Sequence, residues 1–127
     1  MNPRDAFLRE VAAQVDWWSN EAALILTDVD SAPRWVSDRT SLRELVSALD
    51  MSGVPTESIR SAMKSILGAF AGSMLVIFDG GTALEDRVRL IDRGGEPIGE
   101  GLHEDLPRFL RASADGNLDA GGLRPSV

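Results

Sequence analysis

The chain has 127 residues, of which 43% are hydrophobic and 26% charged, close to the composition of one average soluble domain. It contains no cysteine and one histidine, which excludes thiol catalysis, iron–sulfur clusters, disulfide frameworks and multi-histidine metal sites. A formal net charge of −7 disfavours binding to phosphate backbones and anionic membranes, so we expect neither a nucleic-acid nor a membrane partner.

The same composition carries expectations about location. No apolar run approaches the roughly 18 residues that a membrane helix needs, and the first residues lack the pattern of a signal peptide. We therefore expect a cytoplasmic protein. The bias toward arginine, alanine, glycine, aspartate and leucine is typical of a bacterial one.

The first half of the chain predicts two helices. Apolar residues recur at helical spacing over residues 5–20. Residues 22–29 could continue this helix or form a buried strand, and their good helix-forming residues favour continuation. Ser41 and Glu44 match a capping box, which predicts a second, short helix that ends near Met51.

A third helix has the most regular pattern in the chain. Pro55 is well placed for its first turn, and Asp79 with the two glycines after it is a typical end. Apolar residues follow one another at steps of three and four over about five turns, namely Ile59, Met63, Ile66, Leu67, Phe70, Met74 and Ile77. Residues 74–78 are apolar on every side, so they could lie in the core or in an interface, and residues 73–78 could be helix or strand.

A small β-hairpin is predicted next. Residues 87–92 begin with alternating polar and apolar side chains, residues 93–96 form a turn, and residues 97–100 form a short return strand. Pro97 and Gly99 suit only an edge strand. Two strands alone are marginal in water, so this hairpin must pack against helices or a third strand.

The last predicted helix spans residues 102–112, with Pro107 inside it, so it either starts near Glu104 or kinks. The glycine-rich residues 113–127 predict a disordered tail after a single globular domain of residues 1–112. The predicted fold class is α+β and mostly α, with three or four helices around a single core and a small C-terminal β-hairpin.

The acidic residues concentrate toward the C-terminus. Eight acids and three arginines lie between Asp79 and Asp105. Such a surface attracts a basic partner and speeds its association. We therefore predict a non-enzymatic protein-binding module that binds a basic protein through Glu96, Glu100 and Glu104, with Trp17 as an aromatic anchor. Small acidic immunity proteins and regulators resemble this chain in size and charge, and a homodimer is compatible with the pattern.

Asp79, His103 and Glu104 support an alternative function. Histidine is the usual proton shuttle near neutral pH, and a carboxylate can orient its ring. These three residues could serve a small enzyme or bind a ligand or a metal. The sequence favours the binding module, because a nucleophile, a base and an oxyanion donor cannot all be named. It indicates no cofactor and no dedicated metal site.

Overall fold

The computed structural model describes residues 2–79 and 89–114, and this part of the chain is helical. Its elements are, in order, α1 (Pro3–Ile25), a 3₁₀ helix (Val29–Ser31), α2 (Arg39–Met51), α3 (Thr56–Phe78) and α4 (Leu102–Ala114). Helices α1, α3 and α4 all pack against one another, whereas α2 packs against the 3₁₀ helix. The architecture is a three-helix bundle that carries α2 at its side.

Helix α1 begins with a side-chain cap. The Asn2 side chain accepts a hydrogen bond of 2.8 Å from the backbone N–H of Asp5, and Pro3 occupies the first turn, where its missing N–H costs nothing. The helix continues to Ile25, which confirms the predicted continuation as far as that residue. Residues 26–28 then form a turn before the 3₁₀ helix, so no strand forms over residues 22–29.

Helix α2 starts three residues earlier than predicted, and its capping residue differs. Asp38 is the N-cap, and its carboxylate accepts hydrogen bonds from the backbone N–H and the hydroxyl of Ser41. The proposed capping box with Ser41 as N-cap is therefore wrong. A carboxylate is an equally good cap, so the stretch from Asp38 to Ser41 offers two candidate caps that the sequence alone does not rank.

The hydrophobic core lies where α1, α3 and α4 meet. Its buried side chains are Leu8, Ala12, Leu75, Leu102, Leu106 and Phe109. Leu8 and Leu102 are fully buried. Helix α4 supplies three of these side chains at helical spacing, so one face of it is apolar and packed in the core.

Helix α3 runs through Phe78, so residues 73–78 are helical rather than extended. Its buried residues are Ile59 and Leu75, while Ile66, Phe70 and Met74 are exposed. By length and composition alone α3 could cross a membrane: its most apolar 18-residue window has a mean hydropathy of 1.6, and 11% of that window is buried. The expected absence of a membrane partner stays a prediction.

The predicted β-hairpin is wrong for the residues that the structure describes. Ile91 and Pro97 form one isolated antiparallel bridge, and no strand extends from it within residues 89–100. The backbone N–H groups of Asp92 and Ile98 donate to the carbonyl oxygens of Glu96 and Leu90, one on each side of this bridge, so the missing N–H of Pro97 faces away from the partner segment. Two residues later Gly99 leaves the extended region, with a φ of 117°. The Asp92 carboxylate also holds the turn, since it accepts hydrogen bonds from the N–H groups of Gly94 and Glu96. Residues 87 and 88 of the first predicted strand lie outside the described residues.

Helix α4 includes Pro107 and extends two residues beyond the predicted boundary at residue 112. It starts at Leu102, before the predicted alternative start near Glu104. The remainder of the predicted disordered tail, from residue 115 onward, lies outside the described residues. A single domain over residues 1–112 stays a prediction.

Candidate functional site

Asp79 joins the end of α3 to the start of α4. Its carboxylate oxygens accept hydrogen bonds from the backbone N–H groups of Leu102 at 3.1 Å and His103 at 2.9 Å. Free N–H groups at a helix N-terminus favour a negative charge, so Asp79 caps α4 from 23 residues upstream. The structure therefore assigns a structural contact to a residue that the sequence nominated for ligand binding.

The same carboxylate also orients the His103 ring. Oδ2 of Asp79 lies 2.5 Å from Nδ1 of His103, and the Asp79 side chain is 5% exposed. Burial raises the pKa of Asp79, but hydrogen bonds from the His103 backbone and ring and from the Leu102 backbone outweigh burial and hold this pKa below its ordinary value of 3.8. An ionised Asp79 accepts a hydrogen bond from Nδ1–H, which leaves Nε2 of His103 for a second contact.

Glu104 completes the group that the sequence proposed, but only loosely. Its Oε1 atom lies 3.9 Å from Nε2 of His103, and its side chain is 75% exposed. Asp79 and His103 are thus in direct contact, whereas Glu104 lies at the rim. In the described part of the chain, no three histidine, cysteine or acidic side chains are grouped so that they could hold a metal ion.

His103 lines an open groove of about 620 Å³ between α3 and α4. Two cationic side chains in this groove are already engaged: Lys64 forms an ion pair of 2.6 Å with Asp16, and Arg60 forms one of 2.6 Å with Glu57. No hydroxyl among the described residues hydrogen-bonds the His103 ring. An oriented imidazole could accept a proton there, but the groove lacks an activated nucleophile beside it.

The acids nominated for partner binding lie around the N-terminal end of α4. Glu96 and Glu100 are exposed in the loop before it, and Glu104 is exposed in its first turn. The neighbouring aspartates are engaged within the chain, since Asp79 caps α4 and Asp92 holds the turn. We call Glu96, Glu100 and Glu104 the acidic edge.

Arg4, which the sequence did not single out, positions this loop. Its guanidinium donates to the carbonyl oxygens of Glu100 at 3.1 Å and Gly101 at 3.3 Å, and it lies 2.7 Å from the carboxylate of Asp105. One side chain from the start of α1 therefore fixes the entry to α4. A long-range contact of this kind leaves no periodic signal in the sequence.

Trp17 is half-buried rather than freely exposed. It packs edge to face on Trp18 with ring centroids 4.9 Å apart, and Trp18 in turn contacts Trp35 at 5.5 Å. The more exposed ring is that of Trp35, at 52%. Trp35 is therefore the tryptophan best placed to contact a partner, although the sequence nominated Trp17.

An apolar groove of about 490 Å³ runs between α1 and α3. Its lining is aliphatic and aromatic except for Gln14, and it comprises Phe7, Val11, Gln14, Val15, Trp18, Leu67, Phe70, Ala71, Met74, Leu75 and Phe78. The described residues leave part of the regular apolar pattern of α3 exposed, with Phe70 62% exposed.

Comparison with known proteins gives no relative from which a function could be inferred. The chain matches no protein-family model, no curated protein and no solved structure.

Proposed function

We propose that this chain is a non-enzymatic protein-binding module that binds a basic partner through the acidic edge. The single observation that carries this proposal is the exposure of Glu96, Glu100 and Glu104 around one end of α4. Charges on an exposed surface accelerate the association of an oppositely charged partner and help to select it.

The contacts of neighbouring residues support the proposal. Arg4, which contacts this loop, is occupied by Asp105 and by two backbone carbonyls. Asp79 and Asp92 are likewise engaged inside the chain. Among the described residues no ion pair forms with Glu96 or Glu100, and Glu104 makes only the 3.9 Å contact with His103, so these exposed carboxylates are accessible to a partner.

Charge reversal tests this function. The E96K/E100K variant changes the net charge by the same amount as E44K/D50K, whose two positions are exposed on α2. We leave Glu104 unchanged in this comparison, because an acid in the first turn stabilises a helix. Each protein is used as bait in a lysate of the host cells, and bound proteins are released by a salt gradient.

We expect one basic protein to be retained by the wild type and by E44K/D50K, to be released by salt, and to be lost from E96K/E100K. Retention by all three baits would show that the acidic edge is not the binding surface. If both variants lose the bound protein equally, the net charge of the bait explains the binding, and this result also contradicts the proposal.

A second candidate function, ligand binding in the groove between α3 and α4, is favoured by the 2.5 Å contact that orients His103 at this groove. A panel of small carboxylates and phosphates should then raise the midpoint of thermal unfolding of the wild type and not of His103→Gln. A panel that leaves the wild-type midpoint unchanged, or that shifts both proteins equally, would remove this candidate.

A further inference from the structure

Helix α2 presents an apolar face that the described part of the chain covers only in part. Leu42, Leu45, Val46 and Leu49 follow the i, i+3, i+4, i+7 spacing of one helix face. No residue of α2 is buried: Leu45 is 46% exposed, and the other three are half-buried. A short amphipathic helix gains most of its stability from packing this face, and the 3₁₀ helix against which α2 packs leaves Leu45 exposed.

Both ends of α2 are defined by specific contacts. At its C-terminus, the N–H groups of Gly53 and Val54 bond to the carbonyls of Asp50 and Leu49 in a Schellman motif that ends the helix. At its N-terminus, the Arg39 guanidinium donates to the carbonyl oxygens of Val29, Ala32 and Pro33. The Arg39 contacts tie the start of α2 to the 3₁₀ helix and the segment after it.

The apolar groove between α1 and α3 is complementary to this helix face, because no helix of the described chain occupies it. The stretch Ser65–Phe78 on its α3 side contains no charged residue. Phe70 and Met74 line the groove and remain 62% and 44% exposed. Insertion of an amphipathic helix into an apolar groove is a common recognition mode, and it uses the residue spacing that α2 presents.

We propose that the α1–α3 groove binds α2 of a second copy of this chain, in a two-fold symmetric dimer. Within the described residues, each copy carries one partly exposed apolar helix face and one open apolar groove, and a symmetric pair covers both at once. A stable interface buries about 800 Å² of surface on each partner. A two-fold dimer contains the helix-in-groove contact twice, so it buries twice the area that one helix about 20 Å long would bury. Because the groove's α3 side is uncharged, two copies of net charge −7 bring no like charges together on it.

Lipid is a poorer occupant of the same surface. The charge-free stretch Ser65–Phe78 is about 21 Å long at the α-helical rise, short of the roughly 30 Å hydrocarbon core of a bilayer. At the end of this stretch, Lys64 is held by Asp16 of α1 in an ion pair of 2.6 Å. The dimer does not depend on the acidic edge, so it can be tested separately.

The absence of cysteine from the chain allows a direct test. Two single variants, Leu45→Cys on α2 and Phe70→Cys in the groove, are purified separately, mixed and oxidised mildly. We expect a disulfide-linked heterodimer between them. The matched control replaces Leu45→Cys by Glu44→Cys, an exposed position on α2 outside the apolar face, and should give little of this product.

Sedimentation of the cysteine-free protein supplies the second measurement. We expect a dimer for the wild type, a monomer for Phe70→Glu with unchanged helical circular dichroism, and a dimer for Met51→Glu, whose side chain is 88% exposed and lies outside the groove lining. A wild type that stays monomeric across concentrations would overturn the proposal. So would a dimer in which the Leu45 and Phe70 variants do not cross-link, or an L45C/F70C protein that closes within one monomer.

Discussion

Asp79 holds both the backbone and the ring of His103. The carboxylate that follows α3 accepts hydrogen bonds from the His103 N–H at 2.9 Å and lies 2.5 Å from Nδ1 of the same residue. Two helices separated by a long connection are thereby joined through one buried side chain. This arrangement makes Asp79 mainly a determinant of the fold. Substitution of His103 leaves the Asp79 cap in place, so it tests whether the imidazole ring has a role beyond stability.

Asp79→Ala should destabilise the protein by about 1–3 kcal/mol, because it removes a helix cap and leaves partly buried N–H groups without an acceptor. Urea unfolding followed by circular dichroism measures this loss. Asp38→Ala is the control, since Asp38 caps α2, an exposed helix, and should have the smaller effect. If the two substitutions lower the unfolding free energy equally, Asp79 does not contribute more to stability than an exposed helix cap.

The contribution of Asp79 should depend on pH in a defined direction. Its folded-state pKa lies below the ordinary value of 3.8, so the folded state favours the ionised form. The stabilisation is complete well above pH 3.8 and is lost as the pH falls through the lower, folded-state pKa. The difference in unfolding free energy between wild type and Asp79→Asn should therefore shrink between about pH 5 and pH 2. A difference that stays constant over this range would show that the charge of Asp79 does not matter.

His103→Ala should cost less than Asp79→Ala, because both backbone N–H groups at the start of α4 keep their acceptor. The lost contact is one side-chain hydrogen bond of a ring that is 36% exposed, and it should cost about 1 kcal/mol. Thermal and urea unfolding measure the cost, and a double-mutant cycle with Asp79→Asn isolates the coupling. If the two alanine variants are equally unstable, the imidazole contributes as much as the cap.

Sequence periodicity predicted the helices well because each has a local signal. The spacing of Leu102, Leu106 and Phe109 places one face of α4 in the core, and the structure buries all three. The hairpin failed because alternating residues specify a strand only when a partner strand can donate and accept along a ladder. Here the pairing is confined to one bridge between Ile91 and Pro97, and Gly99 leaves the extended region two residues later with a φ of 117°.

The candidate site was predicted only in part. Asp79 and His103 were nominated together, and the fold places them in contact. Arg4 and Trp35 were missed because their importance arises from tertiary contacts with residues distant in the sequence. The regular pattern of α3 could not distinguish a buried face from an exposed one, since Leu75 and Phe70 have the same hydrophobic character and opposite exposure.

Arg4→Ala should destabilise the entry to α4 by about 1–3 kcal/mol, because it removes charge-assisted hydrogen bonds to two carbonyl oxygens and an ion pair with Asp105. Arg4→Lys should recover only part of this, since an ammonium group cannot reproduce the forked geometry. Arg108→Ala is the control, because Arg108 is 62% exposed and lies 3.9 Å from the same carboxylate. Hydrogen exchange at Leu102 and His103, whose N–H groups bond to Asp79 at the start of α4, should quicken in Arg4→Ala and stay near wild type in Arg108→Ala. Equal protection in both variants would contradict the proposed role of Arg4.

Two glycines in α3 should respond differently to the same substitution. Both Gly68→Ala and Gly72→Ala gain helix propensity, worth about 1 kcal/mol. A Cβ at Gly72 meets no atom within 4 Å, whereas one at Gly68 lies 3.2 Å from Cδ1 of Leu110 on α4. Gly72→Ala should therefore raise the unfolding free energy by close to the full amount, and Gly68→Ala by less, because Leu110 must shift to accommodate the new methyl group. Thermal unfolding of the two variants side by side measures the difference, and an equal gain in both would show that α3 and α4 pack less closely at Gly68 than the structure indicates.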